Sequence, residues 1–395
     1  MRVAINLVEF NPGKMGGIET YVFNLLKRLL SDEGSNSFTV ICSESNADYF
    51  SWIHHPVNLK VIGNRRKSFE RLFRSLLRKT TGMNLLAMGI DRMGMDVVHN
   101  PLTNIRPMSL TTPSVLTFHD MQHEYYPEMF SRRELLRRKM KYGKGAQCAT
   151  RIIAISRHAK RCLMERFSID PEKIDVVYQG CGPEYRPLGG DPRLDAIREK
   201  YNLSRPVLYY PAALWPHKNH KNLLAALDIL RERHRFDGRL VLTGIAMPGS
   251  AEVLAEIARL RLDDMVRVLG HVPAEELPYL YNLARVMVFP SLFEGFGIPL
   301  VEAMACGCPV VCSGSASIPE VAGDAGLICD PLSPGDMAEK IRSVWTNGEV
   351  LTGMREKGIL RARTFTWHET ARKTLGVYRR AADDCRRRAL SGETC

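Results

Sequence analysis

The chain has no apolar run near the roughly 20 residues that a membrane helix requires, so a spanning helix is not expected. It has no Asp-x-Asp pair to hold a magnesium-bound nucleotide. Gly13-Lys-Met-Gly16-Gly17 lacks the G-x-G-x-x-G order of a dinucleotide fingerprint, which argues against an oxidoreductase. The ten cysteines are scattered without a regular framework, which suits a reducing compartment better than a disulfide scaffold. Cys306, Cys308 and Cys312 cluster, but their spacing fits no common zinc pattern and they read as small buried thiols; no metal is assigned. Acidic residues are few: 43 face 55 Lys and Arg, for a net charge of +12.

What is present is a soluble globular composition, 45% apolar and 25% charged, over 395 residues. That length exceeds one ordinary core and implies about two domains. The opening Met-Arg-Val-Ala-Ile-Asn-Leu-Val is broken by Glu9 and lacks a small-residue cleavage site, so it reads as a first strand, with a cytoplasmic location expected.

Short apolar runs alternate with helical stretches, the pattern of parallel sheets covered by helices. Strands are expected at 3–8, 38–42, 58–62, 96–100, 114–118, 151–155 and 174–177, then at 207–210, 239–243, 266–269, 286–289, 309–312 and 326–329. The Gly- and Pro-rich segment 179–192 reads as a linker. The tail from Arg386 to Cys395 is charged and expected to fray.

The positive charge is uneven. Arg65–Lys79 carries Arg65, Arg66, Lys67, Arg71, Arg74, Arg78 and Lys79 against Glu70 alone, with Phe69, Leu72, Phe73, Leu76 and Leu77 at helical spacing. Arg132–Lys144 carries seven more cations against Glu134. The plain reading is a solvated basic face. The alternative is an anionic membrane surface or a pyrophosphate-linked acceptor. Nucleic acid is not expected, because aromatic stacking residues are not interleaved.

The most informative stretch is Ser291-Leu-Phe-Glu294-Gly-Phe-Gly-Ile-Pro-Leu-Val-Glu302, where seven residues separate two glutamates. An apolar strand leads into a loop with Gly295 and Gly297, then a helix over 299–306 that opens on Pro299 and closes on Gly307. A strand, Gly-rich loop and helix start aims backbone N–H groups and a positive dipole end at whatever lies above the strand, a setting suited to phosphate.

This E-x7-E hinge resembles that of the retaining nucleotide-sugar glycosyltransferases of family 4. The likeness extends through Gly16-Gly17-Ile-Glu-Thr-Tyr21, Thr117-Phe-His119-Asp120, Ala154-Ile-Ser156, Trp215-Pro-His-Lys218-Asn219 and Ser317-Ile-Pro-Glu320 to Phe365-Thr-Trp367.

The resemblance implies an α/β GT-B fold: two Rossmann-like domains facing across a cleft. An acceptor domain would occupy 1–185 plus a crossover helix at about 367–390, and a donor domain 186–366. It implies that Glu302 accepts ribose hydroxyls, that Glu294 holds hydroxyls of the transferred sugar, and that Gly16 and Gly17 touch donor sugar and phosphates. Backbone N–H groups of Gly295, Phe296, Gly297, Ile298, Leu300 and Val301 would face sugar and phosphate. His119 would contact a sugar hydroxyl, and Trp367 would be a packing anchor.

Lys218, with Asn219 beside it, would meet the leaving diphosphate without metal or other cofactor. Family members commonly place an arginine five or six residues before this lysine, where this chain has Ala212 and Ala213; His217, Lys221 or an arginine of the first domain would have to compensate. The catalytic set is then Glu294, His119 and Lys218, and the substrates a nucleotide sugar, by preference GDP-mannose, and a glycan or lipid-linked acceptor. Two alternatives remain open: a nucleotide-sugar epimerase of the same fold and a non-catalytic basic binding protein.

Overall fold

The computed structural model describes residues 1–31, 34–53, 59–62, 84–247 and 249–392. The basic segment Arg65–Lys79 lies outside the described residues. Among the described residues no helix is long and apolar enough to cross a membrane.

Packing divides the chain into two units, Met1–Gln179 with Trp367–Cys395, and Gly180–Thr366. In the first, a seven-stranded sheet has the order β3-β2-β1-β4-β5-β6-β7, all parallel. The strands are β1 (Arg2–Asn6), β2 (Ser37–Ser43), β3 (Leu59–Ile62), β4 (Val97–Asn100), β5 (Ser114–Phe118), β6 (Arg151–Ala154) and β7 (Ile174–Val176). The six-stranded sheet of the second unit runs β10-β9-β8-β11-β12-β13, also parallel. Its strands are β8 (Val207–Pro211), β9 (Arg239–Thr243), β10 (Val266–Gly270), β11 (Ala284–Phe289), β12 (Val310–Ser313) and β13 (Gly326–Cys329). All thirteen expected strands form. A parallel strand covered on both faces reads as a largely apolar run, and β4, β5 and β12 are buried at every position, with His99 and Thr117 hydrogen-bonded to each other.

In the first unit, the Gly17–Leu30 helix buries Tyr21, Val22, Leu25, Leu26 and Leu29 against the sheet. The helix Trp367–Leu390 closes the same core with Trp367, Val377, Tyr378 and Ala381. It stays helical through Leu390, where the sequence suggested fraying from Arg386. Its last turns are held by Asp384, which accepts a 2.6 Å hydrogen bond from Arg151 of β6, while Arg151 also pairs with Asp175 at 3.1 Å.

Cys306, Cys308 and Cys312 are buried in the second unit, and burial pushes the Cys308 thiol up to about 12. Eight described cysteines are free. Cys385 is disulfide-bonded, although the sequence pattern gave no sign of a bridge.

A candidate nucleotide-sugar site at the carboxyl edge of the second sheet

Two chain crossings at the carboxyl edge of the second sheet bring the expected residues together. After β8 the chain turns through Trp215 into a short 3-10 turn, Pro216–Lys218, and Asn219 takes a left-handed conformation with φ of 62° before the helix His220–His234. After β11 it enters the loop 290–297 and the helix Ile298–Ala305. Gly297 sits at φ of 94°, and an added Cβ would also press within 3.3 Å of Leu300 Cδ1, so glycine is needed twice over. Gly307 ends the helix at φ of 71°.

The crossings are stitched to each other. Leu292 N–H donates to His217 O at 2.8 Å, and the buried Tyr210 phenol donates to Lys218 O at 2.7 Å and lies 3.0 Å from Ser291 Oγ. Ser317 Oγ lies 2.9 Å from Glu294 O and 3.0 Å from Phe296 O, clamping the Gly-rich loop from below.

On this frame Lys218 Nζ donates to Glu294 Oε1 at 2.6 Å, with the two side chains 18% and 13% exposed. An ion pair this sheltered is held by its geometry, because neither charge can be left alone without a desolvation penalty. Eight residues on, Glu302 is buried inside the helix, and its Oε2 accepts a 2.7 Å hydrogen bond from Tyr281. Burial pushes the Glu302 carboxyl up to about 7. Hydrogen bonds from Tyr281 and Tyr185 pull it back down, and the Glu184 charge adds to the rise.

Several expected contacts are narrowed. The Asn219 amide donates to Pro290 O at 3.1 Å and Pro331 O at 2.7 Å, so it braces the two loops. The side chains of Phe296, Leu300 and Val301 are buried, which leaves only their backbones for a ligand, and Leu300 N–H already donates to Gly297 O at 3.0 Å. The two local candidates to replace the missing arginine differ in charge. Burial holds His217 down to about 3, uncharged at neutral pH, while Lys221 forms an exposed pair with Glu252.

In the first unit, Gly16 adopts φ of 52° and ψ of −128°, a conformation open to glycine alone, just before the helix Gly17–Leu30. An added Cβ would meet nothing within 4 Å at either Gly16 or Gly17, so this turn presents open backbone. His119 directly follows β5, buried, with Nε2 donating to Pro101 O at 2.8 Å and its ring edge-on to Tyr21 at 4.9 Å. Burial lowers it to about 4, so the imidazole is neutral and acts as a hydrogen-bonding group.

Beneath it runs a buried chain that sequence reasoning did not find. Tyr378 OH bonds to His99 Nδ1 at 2.7 Å, His99 Nε2 to Thr117 Oγ1 at 2.8 Å, and Thr117 Oγ1 to Tyr21 OH at 3.2 Å. Tyr281 and Ser317 escaped the sequence reading as well. Tyr281 stands in an apolar helix that reads as packing only. Ser317 stood inside a quoted motif without an assigned role.

The Glycosyltransferase Family 4 model matches residues 15–185, and the Glycosyl transferases group 1 model matches residues 195–361. The O-antigen chain mannosyltransferase B of Escherichia coli is 30% identical over 267 residues, covering 67% of this chain and 70% of that protein. This chain belongs to glycosyltransferase family 4. The O-antigen chain mannosyltransferase RfbU of Salmonella typhimurium is 28% identical, over 81% of this chain and 84% of its own. Among solved structures, Anabaena Alr3699/HepE in complex with UDP and glucose superimposes with a TM-score of 0.74 at 19% identity, covering 95% of this chain and 98% of that one. That likeness establishes the GT-B fold.

Proposed function

We propose that the chain is a retaining, metal-independent hexosyltransferase that moves mannose from GDP-mannose to a glycan or lipid-linked acceptor in the assembly of a cell-surface polysaccharide such as lipopolysaccharide, on the cytoplasmic side. The relatives named mannosyltransferases support the sugar and the pathway class. The observation that carries the chemistry is the Lys218–Glu294 pair at 2.6 Å, beside a helix start and in sequence with the buried Glu302.

A donor diphosphate is a stronger partner for Lys218 than one carboxylate. Once its phosphate takes the ammonium, Glu294 is free to accept hydroxyl hydrogens of the transferred sugar while Glu302 accepts those of the ribose. Lys218 and the helix start then stabilise the charge that grows on the leaving phosphate as its bond to the anomeric carbon breaks. The departing phosphate oxygen takes the acceptor proton, and the new glycosidic bond forms on the face that the phosphate leaves.

The test offers GDP-mannose, UDP-sugars and dTDP-sugars with a lipid-linked acceptor and reads the product by proton NMR. An α-mannoside that still forms in EDTA is expected. A β-glycoside from an α-donor, or activity lost in EDTA and restored by magnesium, would overturn retention or metal independence respectively. A sugar interconverted without acceptor would favour the epimerase.

A further inference from the structure

The strand order of the first sheet reverses between β1 and β4: β2 and β3 lie beyond β1 on one side, and β5, β6 and β7 beyond β4 on the other. In a parallel α/β sheet the crevice outside the carboxyl ends of two such strands is where ligands bind.

Three polar side chains from the two loops meet at that edge. Glu9, from the loop after β1, accepts a 2.8 Å hydrogen bond from the Asn104 amide on one oxygen and another from the Arg106 guanidinium on the other, and both donors come from the loop after β4. The loops are anchored to the sheet below. Asn6 Nδ2, at the end of β1, donates to Asn100 Oδ1 of β4 at 2.9 Å and to Arg106 O at 2.7 Å. Thr103, next to Asn104, sits at φ of 65°, a conformation that a β-branched residue rarely takes. Strain of that kind gathers where a loop is held for a ligand.

The cluster is set but not closed. The Glu9 side chain is 26% exposed and that of Arg106 65%. Burial raises the Glu9 carboxyl, but the charge and hydrogen bond of Arg106, the Lys141 charge and the Asn104 hydrogen bond outweigh it, so Glu9 titrates below its ordinary range and is ionised at neutral pH.

We propose that this crevice holds a neutral sugar residue of the acceptor, with Glu9 accepting hydrogen bonds from its hydroxyls while Asn104 and Arg106 donate to the oxygens beside them. The sugar's role as acceptor rests on the transfer reading. The class follows from the groups present. An ionised carboxylate offers about four acceptor positions, of which Asn104 and Arg106 take two, and hydroxyls carry the hydrogens to fill the rest. Phosphate lacks those hydrogens and is repelled by the carboxylate, and the guanidinium that could attract it is already paired with Glu9. The crevice therefore selects the sugar end of a glycan over a phosphate-bearing acceptor.

The test titrates the full chain, without donor, with methyl α-mannoside, methyl α-glucoside and methyl α-galactoside by saturation-transfer NMR and with inorganic pyrophosphate by calorimetry. At least one hexoside should bind, and about tenfold or more weakly in Glu9→Gln and Arg106→Gln, the loss of a hydrogen bond to a charged group. Pyrophosphate binding should be the same in parent and variants. In the transfer assay both variants should raise the acceptor KM while kcat and the donor KM hold. Thermal melts check folding, and Glu9→Gln, which can still accept from Asn104 and Arg106, should melt as the parent does.

No hexoside bound by the parent, or hexosides bound equally by the variants, would overturn the proposal. So would pyrophosphate weakened by Arg106→Gln and strengthened by Glu9→Gln, which marks a phosphate-bearing acceptor. Hexosides held through Glu9 by a protein that transfers from no nucleotide sugar would support the sugar site and sink the transfer reading instead.

Discussion

The phenol of Tyr281 donates a 2.7 Å hydrogen bond to Oε2 of Glu302, and the two residues are only 1% and 7% exposed. Tyr209 and Tyr185 pack against the Tyr281 ring at 5.3 and 5.9 Å. Burial raises the thiols of Cys181 and Cys306, the nearby Glu302 charge adds to that rise, and Glu184 acts on the carboxyl itself. A carboxyl with a pKa of about 7 is divided between its two forms at neutral pH. The proposed role of Glu302, accepting ribose hydroxyls, calls for the ionised form.

Nucleoside diphosphate affinity should therefore rise with pH through about 7 and level off above it. Tyr281→Phe removes a hydrogen bond that favours the charged form, so the midpoint should move to higher pH and affinity at neutral pH should fall. Titration calorimetry across pH reads both. If Glu302→Gln weakens binding and Tyr281→Phe leaves the midpoint in place, the phenol is packing only. An unchanged affinity in Glu302→Gln would remove Glu302 from the site altogether.

The same carboxyl makes a stability prediction of opposite sense. Its folded value of about 7 stands above the ordinary 4.5, so the folded state holds the proton more tightly and stability falls as pH rises between them. At 1.36 kcal/mol per unit the penalty above pH 7 is on the order of 3 kcal/mol. Glu302→Gln should melt higher than the parent at pH 8 and equally at about pH 4. Matching melts at pH 8 would mean that burial is not felt.

Lys218→Ala strands Glu294, which is 13% exposed, and should cost about 2 kcal/mol, less than a fully buried pair because some solvent reaches it. Glu294→Gln strands the lysine similarly. The double variant should recover part of the loss in urea unfolding, while turnover stays depressed by about two orders of magnitude in each. Additive stability losses would show that the two charges do not depend on one another.

Tyr378→Phe leaves His99 Nδ1 without its 2.7 Å partner in a dry core and should destabilise by about 1–3 kcal/mol. Denaturant unfolding measures it. An unchanged midpoint would mean that the His99–Thr117 bond alone holds the imidazole.

The strands were legible because a parallel strand buried on both faces is largely apolar, as the Val97-Val98 and Val310-Val311-Cys312 runs are. The helix after Glu294 was legible from Gly297, Pro299 and Gly307, whose backbone demands survive translation into sequence. The partnerships were not. Lys218 meets Glu294 across 76 positions and Tyr378 meets His99 across 279, and no periodicity records such distances. The bracing bonds of Asn219 to Pro290 O and Pro331 O were equally out of reach, since a polar residue beside a functional lysine looks the same in sequence whether or not it ties loops together.

The helix that completes the first unit comes from the far end of the chain. Val377, Tyr378 and Ala381 fill the core around Val3, Ile5 and Val97, and Arg151 of β6 waits for Asp384. During synthesis the whole of Gly180–Thr366 leaves the ribosome before these groups do. The second unit can therefore close first, while the earlier-made sheet stands with part of its core uncovered until translation has passed Leu390. Termination or proteolysis within the final helix would damage the half of the enzyme made first.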